Sequence, residues 1–425
     1  MQEKVQHKYG TLALSGVFMA YFCSITAVPT GGIVGASTTF TTGLAGILLG
    51  FVIGAALIGL ATWIGYRTGL TKDLVWRQLF GREGARVCSF LVAFCMAFWA
   101  CFDLFNAAQA VYNLMPGSLK DLGFTLAMVI LLVVTIIGGI YGMKSLTLIS
   151  NLSIPVAIVL FIIIYIVSFR QAGGLEGLMA YRPESTTLTV GTIAQMMCAM
   201  WMAGYCGAID LTTEAKNTRA IVVSSILGSA FVLLCFLVGQ VGYIGTGMQT
   251  LADICANLGG AIFIIGSIFV MIAQGNTTPS CNYMYSNSFI AVFNLKTRTV
   301  VATIIPIIAG ALSFVIMYGP GVDFITVIVD TIGTLAAPLL TVMLTDFYII
   351  RKRNLAAVPD RQLPAARPIP LVCLGAGIIL SLVFKAFPQI PIPTFLVMTI
   401  IAVLYVVLHN IFSIATAVAA SKPVC

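Results

Sequence analysis

Cys23-Ser24-Ile25-Thr26-Ala27-Val28-Pro29-Thr30-Gly31-Gly32 stands in the middle of the first long apolar run of the chain. Proline removes a backbone donor and glycine favours unwinding, so the stretch predicts a helix interrupted near mid-membrane depth. The sixth apolar run carries a second interruption, Ala203-Gly204-Tyr205-Cys206-Gly207, about 180 residues further on. Breaks in the first and sixth runs are the pattern of two inverted five-helix repeats with a binding site at the midplane. Hinge glycines or close helix packing give the same residues and stand as the alternative for either break alone.

Both runs belong to a chain whose solvent must be largely lipid. Of 425 residues, 60% are hydrophobic and 8% charged, with a mean hydropathy of +1.05, whereas soluble domains are about 25% charged. The 40 glycines and 16 prolines fall inside apolar runs, as they do in transmembrane helices. Runs long enough to cross about 30 Å of hydrocarbon lie near 10–36, 42–66, 86–114, 122–142, 147–169, 190–209, 219–245, 257–290, 299–318, 323–350, 368–388 and 394–418. The fold expected is an all-α integral membrane protein of about twelve helices. The chain opens MQEKVQHKYG and runs straight into a span, without the short core and cleavage site of a removable signal peptide.

Charge sets the expected sidedness. With the amino terminus inside, only Lys120, Arg170, Arg182 and Lys385 of the 22 basic residues fall outside, leaving 18 inside. By the positive-inside rule both termini are expected in the cytoplasm of a multi-pass plasma-membrane protein. The net charge of +8 then reads as topology and not as a nucleic-acid footprint. The 11 cysteines, Cys88, Cys95, Cys101, Cys198 and Cys235 among them, form no CxxC pair and meet no histidine cluster, which argues against a metal site or a disulfide framework. His7 and His409 stand alone, so no constellation for hydrolysis or redox chemistry is present and no enzyme is expected.

Three motifs carry a resemblance. The segment after the second run reads Gly65-Tyr66-Arg67-Thr68-Gly69-Leu70-Thr71 and continues through Arg77 and Phe80-Gly81 to Gly84. The tenth run has Pro338 followed by Thr345-Asp346-Phe347-Tyr348 and Arg351-Lys352-Arg353, and the eighth contains Gln274-Gly275-Asn276-Thr277-Thr278. Together they resemble the nucleobase:cation symporter-1 family, the cytosine and purine permeases. The resemblance implies a first repeat over 1–170, a second over 171–353 and two further helices over 354–425. It also implies cation-coupled uptake of a nucleobase or related planar heterocycle by a monomer.

By that resemblance Trp99 and Trp201 match the positions that sandwich the substrate ring, with Ala203 just beyond Trp201 and Asn282 near an asparagine that faces substrate. A base stacked on an indole is worth roughly 1–3 kcal/mol. Asp103 stands one helical turn after Trp99 and departs from the amide or small residue of relatives. A carboxylate at that depth costs about 2.5–3.5 kcal/mol on insertion scales, so it reads as a partner for an amino edge, a counter-ion, a proton-coupling group or a helix-to-helix hydrogen bond. Asn106 and Gln109 continue its polar face. The family's Na⁺ site would use hydroxyls of Thr277 and Thr278, a carbonyl of Gln274, and span-one carbonyls between Phe22 and Thr26. No other cofactor is implied, and H⁺ stays open as the driving ion.

Asp330 belongs either to an outer gate or to a hydrogen-bonded helix break, while Asp210 and Asp346 read as interfacial ion pairs near Lys216 and Arg351. An amino-acid or amine permease on the same fold would also explain Asp103, as the counter-ion of an ammonium. A channel is the remaining alternative.

Overall fold

The computed structural model describes the backbone of residues 9–22, 25–141, 143–319, 323–355, 358–387, 389–390 and 392–420. Among the described residues, ten helices are long and apolar enough to cross a bilayer, and two bent pairs bring the total to twelve. Each observed span begins and ends within about five residues of the apolar run that predicts it. Span one is Thr11–Phe22 followed by Ala27–Ser37, bent by 60°, and span six is Val190–Ala199 followed by Met202–Thr212, bent by 46°. The others are Phe40–Thr68, Arg82–Leu114, Lys120–Tyr141, Met143–Gln171, Thr218–Thr246, Gly260–Phe293, Thr299–Tyr318, Asp323–Thr345, Pro368–Lys385 and Pro393–Ala420.

The breaks differ from their prediction in place and cause. Span one breaks between Phe22 and Ala27, before Pro29, which sits in the first turn of the second half-helix where no amide donor is needed. Gly31 and Gly32 are helical: a Cβ on Gly31 would meet the Phe236 carbonyl oxygen at 2.3 Å. They are therefore packing glycines that bring span one against span seven. Span six breaks at Met200–Trp201, two residues ahead of the quoted stretch. Gly207 is likewise a close-approach residue, since a Cβ there would lie 2.7 Å from the Tyr21 hydroxyl.

The spans pack in two sets. Spans one and two contact each other and both meet spans six and seven, spans three, four, eight and nine contact one another, span ten touches both sets, and spans eleven and twelve pack on ten. The sequence reading overlooks three short α-helices, Lys72–Phe80, Gly174–Ala180 and Leu251–Leu258. The first two are too short to show as apolar runs, and the third falls in the connection between spans seven and eight.

Lys72–Phe80 lies on the face that gathers the basic residues. Gly69 ends span two in the left-handed region, φ 64°, and the new helix buries Val75, Trp76 and Leu79. Lys72, only 1% exposed, donates through Nζ to Asp210 at 2.8 Å and to Asp73 at 3.2 Å. Asp73 in turn accepts from Ser89 at 2.6 Å. Asp210 thus pairs with Lys72, correcting the expected Lys216. Asp346 pairs with Arg351 as expected and also accepts from Tyr405 at 2.6 Å.

Candidate functional site

Where the two sets meet, at the level of both breaks, the side chains enclose a small cavity. Span one supplies Tyr21, span three Cys95, Met96 and Trp99, span six Met200, Trp201, Ala203 and Gly204, span eight Thr277 and Cys281, and span ten Ile332. Its volume is about 10 Å³, room for at most one water, so this conformation is closed around the site. The Tyr21 hydroxyl donates to the Gly204 carbonyl at 3.1 Å and so joins the two broken spans beside the cavity. The Gly204 carbonyl also accepts from the Ala208 amide at 2.9 Å in its own helix, so Tyr21 is a second donor that ties span one to it.

Trp99 and Trp201 come together, as expected, but as neighbours. Their ring centroids lie 5.3 Å apart at 53°, so no slot for a flat ring separates them and the sandwich is not formed in this state. Phe22 meets Trp201 edge-on at 4.9 Å. Trp99 and Trp201 are 4% and 3% exposed, and both indole N–H groups are buried without an acceptor. The two residues that line one cavity thus carry buried donors able to serve an acceptor if the rings move apart.

Other predicted residues are distributed unevenly. Ala203 lines the cavity. Asp103 is fully buried one turn beyond Trp99 and is not among the lining residues. Asn106 is also buried and donates to its own helix at the Phe102 carbonyl, 2.9 Å away. Asn282 is a correction. Its amide donates to the carbonyls of Thr135 and Ala302, both at 2.9 Å, and its oxygen accepts from Ser286, so it ties spans four, eight and nine together and faces away from the cavity.

At the expected ion site the neighbouring threonines part company, as they must when successive side chains stand about 100° apart around a helix. Thr277 lines the cavity, whereas the Thr278 hydroxyl bonds to Thr135 at 2.7 Å and to the Gln274 carbonyl at 3.0 Å. Thr278 therefore bonds across to span four, while that carbonyl is taken up within span eight. The Gln274 side chain is fully buried, with neither its oxygen nor its nitrogen hydrogen-bonded. Phe22 ends the first half-helix, and the neighbouring Cys23 and Ser24 lie outside the described residues. Asp330 is exposed and pairs with Lys385 at 3.7 Å, in the first half of span ten.

The sequence reading missed Tyr21, Cys95, Met96, Met200, Gly204, Cys281 and Ile332. Tyr21 carries the one signal available, a hydroxyl just before a break. Apolar lining residues in apolar helices offer no contrast by which to find them.

The family model described as "Permease for cytosine/purines, uracil, thiamine, allantoin" matches residues 3–363. The chain belongs to that permease family. It is 23% identical over 353 residues to the cytosine permease of Escherichia coli strain K12, covering 81% of this chain and 79% of that one. To the hydantoin permease of Microbacterium maritypicum it is 20% identical over 379 residues, covering 83% and 75%. The fold matches that of Mhp1, a nucleobase-cation-symport-1 family transporter in a closed conformation with bromovinylhydantoin bound. That match has a TM-score of 0.76 and 16% identity, over 94% of this chain and 92% of the other. The permease is a multi-pass membrane protein on the five-plus-five scaffold with two added helices, and its work is transport, not bond-making.

Within the permease family's signature the residues act structurally. A Cβ on Gly65 would meet the Ile209 carbonyl oxygen at 2.3 Å, which lets span two close on the end of span six. The Thr345-Asp346-Phe347-Tyr348 ending is wound as a π-helix over Asp346–Ile350.

Proposed function

We propose that this permease is a cation-coupled symporter importing a nucleobase or related planar heterocycle by alternating access. The observation that carries the reading is the Trp99–Trp201 pair, with both indole donors buried and unmet beside the broken spans. When the ring planes part, a flat heterocycle gains stacking on two indoles and offers acceptors to their N–H groups. The two packed sets of spans supply the motion: spans one and six move against spans three and eight, and the site opens to one side at a time.

The heavily basic face is taken to be cytoplasmic, with both termini inside. Na⁺ is the ion favoured, held by carbonyls at the span-one break and by the Thr277 hydroxyl. Asp103 is the residue that would carry a proton if H⁺ drives uptake instead. A single chain encloses the whole cavity, so a monomer suffices. An amino-acid or amine permease is less well supported, because the similar curated proteins are permeases for cytosine and hydantoin.

Reconstituted vesicles test this reading. Labelled cytosine, uracil and hydantoins are offered under an imposed Na⁺ gradient and, separately, under a pH gradient. Accumulation of at least one heterocycle driven by Na⁺ is the expected result. Accumulation driven by pH alone would move the coupling to H⁺, and uptake of amino acids with no heterocycle transported would overturn the substrate class.

A further inference from the structure

A second and much larger cavity opens on the basic face, away from Trp99 and Trp201. It has a volume of about 390 Å³ and lies between the helix Lys72–Phe80, the end of span ten, the start of span eleven and span twelve. Arg351, Arg367, Tyr405 and His409 supply its polar wall, while Leu79, Ile350 and Ile369 supply an apolar one. Asp346 also faces the cavity but is engaged twice, by Arg351 and by Tyr405. The Arg351 guanidinium also donates to the Gln78 carbonyl at 3.2 Å.

Arg367 is different. Among the described residues no carboxylate pairs with it, and its Nε is buried without an acceptor. Its own amide donates to the Phe80 carbonyl at 2.9 Å, fixing the backbone from which the guanidinium projects. Arg367 also caps Pro368–Lys385, so the positive end of an 18-residue helix reinforces its charge. A cation left with an unmet donor in a roomy pocket calls for an anion, and a guanidinium fork suits a phosphate.

The depth of the cavity points to the source. Ile349, Val372 and Phe412, within three residues of Ile350, Ile369 and His409, are 54%, 56% and 51% exposed, so the same helices present an apolar outer surface where they enter the bilayer. We propose that this cavity binds the headgroup of an anionic phospholipid from the leaflet on the basic face, with the phosphate on Arg367 and the acyl chains along spans eleven and twelve. Basic pockets between spans on this side of a membrane are suited to such headgroups. The proposal stands independently of the transported solute.

The test uses the purified, delipidated full chain. Thermal unfolding is followed against phosphatidylglycerol, phosphatidylcholine, glycerol phosphate and inorganic phosphate, for the parent, Arg367→Gln and Arg361→Gln, the last being an exposed arginine outside the cavity. Phosphatidylglycerol should raise the midpoint more than phosphatidylcholine. Its apparent affinity should fall about tenfold or more in Arg367→Gln and stay unchanged in Arg361→Gln. Equal effects of the two lipids on the parent, or a parent-like response of Arg367→Gln, would overturn the site. Saturation by glycerol phosphate or inorganic phosphate as readily as by the lipid would overturn the lipid assignment. Should Arg367→Gln fail to fold, a photoreactive phosphatidylglycerol on the parent should label residues 367–370 and 405–409, and labelling elsewhere alone would overturn the proposal.

Discussion

The Tyr21 hydroxyl donates to the Gly204 carbonyl across 3.1 Å, tying the half-helix that precedes the first break to the half-helix that follows the second. That bond belongs to the closed state, because both residues line the cavity that a substrate must enlarge. Tyr21→Phe keeps the ring and removes a bond worth about 0.5–1.5 kcal/mol. The closed population should fall by roughly two- to tenfold relative to open forms. Modification of Cys95 and Cys281, both on the cavity wall, should quicken accordingly when peptides are read by mass spectrometry, and substrate should protect both.

Trp99→Ala and Trp201→Ala should each weaken substrate binding by about 1–3 kcal/mol, tenfold or more in affinity at the upper values. Phenylalanine at either position keeps a ring but no N–H, so it should recover part of the loss. The shortfall that remains combines the lost indole hydrogen bond with the smaller stacking area of the benzene ring.

The two threonines of span eight should separate ion coupling from packing. Thr277→Val removes an oxygen at the cavity, so Na⁺ should promote substrate binding less or only at higher concentration, as linkage between sites requires. Thr278→Val instead leaves the Thr135 hydroxyl without its 2.7 Å partner. It should lower thermal stability by about 1–3 kcal/mol while leaving the Na⁺ response intact. The reverse assignment of effects would return the ion site to Thr278.

Asp103→Asn should distinguish its roles. As a substrate partner it should lose about 1–3 kcal/mol of affinity, most for ligands bearing an amino group. As a proton carrier it should still bind and exchange substrate, yet lose pH-driven accumulation. Measuring binding, exchange and accumulation on one variant separates the two, and parent-like values in all three would assign Asp103 to helix packing.

On the basic face, Lys72→Met should be severely destabilising, by about 3–5 kcal/mol, because Asp73 and Asp210 lose the cation between them. Burial by itself lowers the Lys72 pKa, but Asp210 and Asp73 outweigh it and hold the ammonium above its ordinary value. A raised pKa stabilises the fold fully below the unfolded value, and the gain is lost only as pH rises through the folded one. Both lie above about pH 10, so a melt series from pH 6 to 9 should show no loss from this group.

The span count and the existence of both breaks were legible because apolar length and proline-glycine punctuation are one-dimensional signals. Their exact places were not. Gly31 and Gly207 look like unwinding residues in a linear reading, yet each is helical and set against a neighbour that a Cβ would strike. Trp99 and Trp201 could be singled out because two of only four tryptophans in the chain fall at positions matched through the family resemblance. Met96, Met200 and Ile332 could not, since nothing in their composition separates a cavity wall from a packed core. Asn282 misled for a related reason: a buried amide signals a polar demand without saying whether a ligand or the Thr135 and Ala302 carbonyls will meet it.

The central claim is that Trp99 and Trp201 part to receive a planar heterocycle. Equilibrium binding of cytosine, uracil and hydantoins to the purified chain, read by quenching of tryptophan fluorescence in the parent and in the two single tryptophan-to-phenylalanine variants, tests it most directly. The account predicts saturable quenching by at least one heterocycle in the parent, with a smaller amplitude and weaker affinity in each variant. Binding that leaves the emission unchanged, or that is equally tight in the parent and in both variants, would contradict it.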